Sequence, residues 1–328
     1  MDTLGGDRGL EVTLEGSIMA LEQEPGLRLR LVGPGDAIAR RMESAGEVSG
    51  GRVSIIDASN SIPGDMTPSR ALRQGGDSSL ATTVRQVREG GADAAVSAGN
   101  TGALMAYSRH LLGMLPGVDR PALMSRLPAR NGEVWLLDLG ANIGVDARRL
   151  FEFALLGSAA VTAMQGGQMP RVGLLNVGSE TSKGSDVVQE AARLISESDL
   201  DFAGFVEGHD VFSGSVDVVV CDGFVGNVLL KGAEGLAGLL LERLKTSLSG
   251  GLKTRLGARL VRDSLEGLLH SLDPAGHNGA PLLGVNGIVI KSHGAAGPTA
   301  FSNAILLAVR ESRREMIGEI ERQLWASY

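Results

Sequence analysis

Short, continuously apolar runs recur along this chain, and five of them end in a cluster of glycine with Asn, Asp or a hydroxyl. They read Ala-Ala-Val-Ser-Ala-Gly-Asn-Thr-Gly (94 to 102), Leu-Leu-Asp-Leu-Gly-Ala-Asn (136 to 142), Leu-Leu-Asn-Val-Gly-Ser-Glu (174 to 180), Val-Val-Cys-Asp-Gly-Phe-Val-Gly-Asn (219 to 227) and Ile-Val-Ile-Lys-Ser-His-Gly (288 to 294). Each run is too short and too evenly apolar for an amphipathic helix and predicts a strand buried on both faces, as in a parallel sheet covered by helices. Parallel strands deliver their carboxyl ends to one edge, so the five clusters are expected to converge on a single crevice. The pattern predicts strands at 27–32, 53–56, 93–97, 134–138, 172–176, 217–221 and 287–291. It predicts helices at 11–23, 37–45, 101–115, 148–164, 186–196 and 228–248 and a long closing helix near 299–325. This alternation is that of right-handed βαβ units, in one α/β domain over 1–328.

Composition narrows the picture without changing it. Gly, at 47 of 328 residues, is about twice its usual share, and the glycines punctuate the ends of apolar runs rather than forming a low-complexity tract. The net charge of −7 argues against a nucleic-acid protein. The single cysteine, Cys221, permits no internal disulfide and fits a reducing compartment. No basic-then-apolar leader opens the sequence, and the most apolar stretch, 153–164, falls short of the ~20 residues that span a bilayer. These features lead us to expect a soluble cytoplasmic protein.

One segment departs from the alternation. Leucines stand at 236, 240, 244, 248, 252, 256 and 260, with Arg243, Lys245, Lys253, Arg255, Arg259 and Arg262 between them and no acidic residue from 243 to 262. Ser249-Gly250-Gly251 interrupts this basic amphipathic stretch, which predicts a protruding helical hairpin at about 232–272. Its candidate roles are a core-facing or dimer-contact pair, a face for anionic lipid, or a face for an acidic protein.

At the strand ends, Ser97, Asn100 and Thr101 sit where a strand gives way to a helix, so backbone N–H groups, the positive helix end and side-chain donors share one turn suited to phosphate. Asp222 to Asn227 repeats that arrangement, with Lys231 one helical turn beyond Asn227. Lys183 lies on a glycine-flexed loop, and Lys291 and His293 follow the last strand. These cationic or imidazole groups could hold an anion, with Asp138, Asn142 and Asn176 orienting the donors. Each cluster alone is also explained by a capped helix after a tight turn. The Gly33-Pro34-Gly35 turn lacks the third glycine of a dinucleotide fingerprint. Neither the histidines nor Cys221 shows metal-ligand spacing, and no Gly-x-Ser-x-Gly elbow is present. Donors and cations without a protein nucleophile suit a reaction whose nucleophile is a bound substrate, such as inorganic phosphate attacking an acyl group.

Ser-Ala-Gly-Asn-Thr-Gly-Ala-Leu-Met at 97–105, Arg120-Pro121-Ala122-Leu123, Leu-Leu-Asp-Leu-Gly-Ala-Asn at 136–142, Pro-Arg-Val-Gly-Leu-Leu-Asn at 170–176, Cys-Asp-Gly-Phe-Val-Gly-Asn-Val at 221–228 and the Asn-Gly-Ala to Lys-Ser-His-Gly segment at 278–294 resemble the bacterial phosphate acyltransferases of phospholipid synthesis. The resemblance implies a Rossmann-like three-layer α/β/α fold with a mostly parallel sheet, related to phosphotransacetylases and isocitrate dehydrogenase-like decarboxylating dehydrogenases. It implies a homodimer, peripherally attached to the membrane, that uses acyl carrier protein and inorganic phosphate without a cofactor or metal and hands acyl phosphate to a glycerol-3-phosphate acyltransferase. Carried over, it makes Lys183 and Asn227 catalytic: Lys183 offsets phosphate or oxyanion charge, and Asn227 donates to the developing oxyanion, a contact worth ~3 kcal/mol. Asp222, Lys291 and His293 match positions that shape the phosphate pocket.

The chain also departs from the family pattern. The acidic run before the family lysine is reduced to Ser179-Glu180-Thr181-Ser182, and a basic pair ahead of Asp77-Ser78-Ser79 is Gly75-Gly76. Family members place a strand ahead of the Asp-x-x-Gly-Gly-Asp motif, whereas only Met1 precedes Asp2 here, so we expect either an upstream start or tolerance of a missing strand. Two alternatives stand beside the resemblance: a phosphotransacetylase acting on acyl coenzyme A, and a non-catalytic membrane adaptor.

Overall fold

A computed structural model describes residues 1–46, 51–251 and 274–326, together with 254, 257, 259–261 and 267. In chain order the elements are α1 (Gly9–Gln23), β1 (Leu29–Gly33), α2 (Gly35–Ser44), β2 (Val53–Asp57), α3 (Pro68–Gln74), α4 (Ser79–Arg88), β3 (Ala94–Ser97), α5 (Thr101–Leu112), β4 (Ala122–Ala129) and β5 (Gly132–Leu137). There follow α6 (Ala147–Gln165), β6 (Val172–Leu175), α7 (Asp186–Ser196), β7 (Phe202–Val206), β8 (Val218–Val220), α8 (Gly223–Leu248), β9 (Ala280–Leu283), β10 (Ile288–Lys291), α9 (Pro298–Arg313) and α10 (Met316–Ala326).

The described strands form two sheets, β1-β2 and an eight-stranded sheet in the order β3-β10-β9-β4-β5-β8-β6-β7. Most pairings are parallel, and the apolar runs are indeed buried on both sides, β8 and β10 at every position. Helices cover both faces. One face buries Phe153 of α6 and Phe301 of α9 with residues of α1, α7 and α10, and the other buries Leu80 of α4 and Leu104 and Tyr107 of α5. Burying each such large side chain contributes about 1.5–3 kcal/mol, so the sheet is held from both sides. Met1 to Thr3 joins the two sheets: Val32 N–H donates to Met1 O at 2.9 Å and Asp2 N–H donates to Val96 O at 3.0 Å.

The clusters do not all leave one edge of the sheet. Three antiparallel pairings, β10-β9, β9-β4 and β4-β5, separate the parallel set β3-β10 from the parallel set β5-β8-β6-β7. An odd number of reversals turns the second set around, so Ser97 and Lys291 leave opposite ends of the sheet from Asp138, Asn176 and Asp222. The reversing strands escaped the apolar pattern because β4 carries Arg126 and Pro128 and β9 has only four residues, including Pro281. Strand β7, with Gly204 at φ +92°, escaped it too.

Two helices also differ from the pattern. Closing helices α9 and α10 are separate, broken at Glu315 with φ +48°. Helix α8 starts five residues before the expected Val228, because the Gly-Phe-Val-Gly-Asn segment is its first turn rather than a loop. A Cβ on Gly226 would sit 2.0 Å from Asp138 O, and one on Gly223 would sit 2.3 Å from Asn142 O, so only glycine lets this turn press onto the end of β5. At 26 residues, α8 is long and apolar enough, by length and composition, to cross a membrane, unlike the 153–164 stretch singled out from the sequence. It ends at Ser249 with Gly251 at φ +77°, where the break was expected. The predicted second arm, with Lys253, Arg255 and Arg262, lies outside the described residues.

Candidate active site

At the end of β5 the chain must turn sharply, and a buried carboxylate organises the turn. Asp138 Oδ1 accepts from the N–H groups of Leu123 at 2.9 Å, Leu139 at 2.7 Å and Ala141 at 3.3 Å; Oδ2 accepts from Asn142 N–H at 2.6 Å and Nδ2 at 3.1 Å. Burial lifts the Asp138 carboxyl above its ordinary range, and the donated hydrogen bonds oppose the shift. Asn142, 3 % exposed, also donates to Pro121 O at 2.9 Å. Both residues were expected to orient or bind phosphate; their hydrogen-bonding capacity is taken up within the loop.

Next to this turn, Asp222 caps α8. Its Oδ1 accepts from Phe224 N–H at 2.8 Å, and its Oδ2 accepts from Gly144 N–H at 2.7 Å and Val145 N–H at 3.0 Å. Asn227 follows on the exposed first turn of the same helix, lying over Gly140 of the β5 loop. At the end of β6, Asn176 Nδ2 donates to Lys183 O at 3.0 Å and its Oδ1 accepts from Val177 N–H at 2.9 Å. Asn176 thereby folds the 177–184 loop back on itself, and Gly184, at φ +91°, has Asn176 Oδ1 2.4 Å from where a Cβ would be. Lys183 stands exposed on that loop.

The opposite sheet end is built around a second carboxylate. Asp2 Oδ1 accepts from Ser79 Oγ at 2.7 Å and Oδ2 from Ser97 Oγ at 2.6 Å, while Ser97 Oγ accepts from Gly99 N–H at 3.0 Å. Asn100 caps α5 through Ala103 N–H and donates Nδ2 to Pro63 O, Gly64 O and Met66 O, which clamps the 63–66 loop. Thr101 is the half-buried first residue of α5. Lys291, 8 % exposed, donates Nζ to Ala98 O at 3.2 Å and to Ser292 O. Burial pulls its pKa down to about 8, with Asp2 and Asp7 opposing the shift.

Helix α8 connects the two ends. Lys231, two turns into the helix, places Nζ 2.7 Å from His293 Nε2 and 2.8 Å from Glu234 Oε2. His293 Nδ1 accepts from Ala295 N–H at 3.1 Å, which assigns the ring proton to Nε2. Burial, and then the Lys231 charge, hold the imidazole below its ordinary pKa and therefore neutral. The Nε2–H and the ammonium thus converge on one point as two donors, and an anion accepting from both at once would satisfy them. His293 N–H itself donates to Asn278 Oδ1 at 3.0 Å. Lys231, noted in the sequence only for its spacing, is the cation brought to His293, whereas Lys183 lies on the other end's loop. Ser79 and Asn278 were missed; their signals are the Asp-Ser-Ser at 77–79 and the Asn-Gly turn at 278–279. Arg243, Lys245 and Arg259 are exposed and far along the chain from these groups.

The architecture is shared with solved phosphotransacetylases: the Streptococcus pyogenes enzyme superposes with a TM-score of 0.62 at 17 % identity over 91 % of both chains. EutD phosphotransacetylase from Staphylococcus aureus gives 0.59 at 18 % identity over 92 % of both. A 4-hydroxythreonine-4-phosphate dehydrogenase from Salmonella typhimurium, described as putative in its source, gives 0.53 at 15 % identity, covering 94 % of this chain and 96 % of that one. The fold is therefore the α/β class of the phosphotransacetylases. In sequence, the family described as "Fatty acid synthesis protein" matches residues 1–318. Proteins named phosphate acyltransferase from Alkalilimnicola ehrlichii and Shewanella amazonensis are 45 % and 46 % identical, each over 99 % of this chain and 95 % of its own length. The chain belongs to the phosphate acyltransferase family and is an acyltransferase.

Proposed function

We propose that this enzyme transfers a fatty acyl group from the thioester of acyl carrier protein to inorganic phosphate, giving acyl phosphate for phospholipid synthesis. The observation that carries the phosphate half is the facing pair of donors, Lys231 Nζ and His293 Nε2, 2.7 Å apart beside the buried ammonium of Lys291. A phosphate oxygen attacks the thioester carbonyl carbon, a tetrahedral oxyanion forms and collapses, the C–S bond breaks and the thiol leaves with a proton. In this reading Asn227, one helical turn before Lys231 on α8, donates to the oxyanion and Lys183 offsets its charge.

The reading also makes the donor a carrier protein and places the enzyme, as a homodimer, on the cytoplasmic membrane surface, passing its product to a glycerol-3-phosphate acyltransferase. What supports this is the outer part of α8, where Leu236, Leu239 and Leu240 are exposed and Arg243 and Lys245 follow, a surface suited to an acidic partner and an anionic bilayer. The test is to supply phosphate with palmitoyl carrier protein or palmitoyl coenzyme A and trap acyl phosphate with hydroxylamine. Product from the carrier thioester supports the reading; product only from the coenzyme A thioester makes the enzyme a phosphotransacetylase, and no product from either overturns the reading.

A further inference from the structure

We propose that the cleft between the carboxyl ends of β6 and β8 and the starts of α6, α7 and α8 binds the acyl chain of the donor. The cleft has a volume of about 280 Å³. Leu150 and Leu174 form its buried floor, the end of β8 at Cys221 borders it, and Val187, Val188 and Val225 form its walls. Its two polar lining residues are already occupied as helix caps: Ser185 Oγ accepts from Val188 N–H, and Asp222 holds Phe224, Gly144 and Val145. A polar ligand would therefore find no uncommitted side-chain partner inside, whereas an alkyl chain needs none.

Apolar surface continues outward from the cleft. Ile143, Val177 and Phe224 are 71 %, 82 % and 60 % exposed, one on each loop or helix start that surrounds the mouth. Large apolar side chains left in water around a cleft mark a binding surface. The volume accommodates part of a fatty tail, with the remainder lying along this rim. The placement also suits the chemistry: Ser185 on the wall ends the loop that carries Lys183, and Asp222 caps the helix that carries Asn227. A chain seated here therefore has its thioester end at the mouth, beside both residues.

This inference rests on the acyl-transfer reading above, and its test is chosen to separate the two. Each buried methylene is worth roughly fourfold in affinity. For the wild-type enzyme, kcat/KM across saturated acyl thioesters of increasing length is expected to climb by about that factor per methylene over the lengths that fit. In Val188→Trp, which fills the cleft, the climb is expected to flatten to near one. An unchanged length profile in V188W overturns the proposal.

A second measurement does not depend on the folding of V188W. Val187, on the cleft wall, is 39 % exposed, so Val187→Cys places a reactive thiol there with little disturbance, while the buried Cys221 stays unreactive. Modification of the introduced thiol by methyl methanethiosulfonate at pH 9 is expected to slow at least tenfold with myristoyl coenzyme A and to be unchanged with acetyl coenzyme A. Equal protection by both thioesters, or protection that follows protein concentration alone because a second copy covers the mouth, overturns the assignment. Absence of acyl phosphate from every donor, with the introduced thiol still protected by the long chain, defeats the reaction but keeps the acyl site.

Discussion

The two ends of the sheet are each organised by a buried carboxylate, and they use it differently. Asp138 collects four hydrogen bonds from the turn after β5 and a fifth from Leu123 of β4, and Asn142, its polar neighbour, is equally committed. Asp2 binds Ser79 and Ser97, and near it stand donors with capacity left over: the buried Lys291 ammonium, which gives two of its three N–H groups to backbone carbonyls, and a histidine N–H aimed at Lys231. A polar cluster that satisfies itself is scaffolding, whatever its composition. A cluster that leaves like donors facing each other has capacity for an anion, and the cost of holding them together is recovered when it arrives.

The largest expected effect breaks the scaffold. Asp138→Ala strands several buried N–H groups and is expected to lower the unfolding free energy by about 4 kcal/mol, a large part of a typical domain's stability. Urea unfolding checks this, and a loss below ~1 kcal/mol would show that the turn is held by something else.

The exposed residues at the same end are expected to behave in the opposite way. Lys183→Ala and Asn227→Ala should each cut acyl phosphate formation by roughly 10² while the melting temperature stays within about 2 °C. Wild-type turnover in both variants would remove them from the chemistry.

At the anion end, Lys231→Ala is expected to raise the KM for phosphate about tenfold with a smaller change in kcat. Phosphate affinity of the wild type is also expected to fall above pH 8, because the Lys291 pKa lies at about 8 and its charge is lost as the pH rises through that value. A phosphate KM that is flat from pH 7 to 9.5 would take Lys291 out of anion binding.

The smallest effect on turnover concerns a carboxylate at neither end. Glu311 on α9 is fully buried, neither oxygen has a hydrogen-bond partner among the described residues, and burial pushes its pKa up to about 8. The folded chain holds this proton more tightly than the unfolded chain, so the stability it leaves intact at low pH declines as the pH rises from about 4.5 to about 8. Glu311→Gln is expected to match wild type at pH 4.5 and to unfold at a higher temperature than wild type at pH 8. An equal gain at both values would mean that packing, not ionisation, is responsible.

Much of the fold was legible because burial on both faces leaves a direct trace: β8 and β10 are nothing but apolar residues up to Lys291, and no other element accommodates such runs. Helix caps were legible for the same local reason, as at Asn100 and Asp222, where a side-chain oxygen meets a free N–H a few residues on. Strands β4 and β9 were not legible. Their pairing is made by residues more than a hundred positions apart, Ala122 with Leu283, and their composition is tolerable in a loop. Because those strands were missed, the direction of half the sheet was missed with them.

The sequence by itself determined the doubly buried strands, most of the helices that follow them, the cluster residues and, through its long motifs, the family. Those depend on short-range sterics and on which groups tolerate burial. Only the tertiary structure decided which clusters meet. Three antiparallel pairings reversed one set of strands, and two turns of α8 then carried Lys231 to His293. The sequence was equally silent on which polar residues were already satisfied, since Asp138 and Asn142 read in one dimension like ligands for phosphate. Hydrogen bonds saturate, and whether a donor or acceptor remains for a substrate depends on every neighbour that folding brings within 3 Å or so.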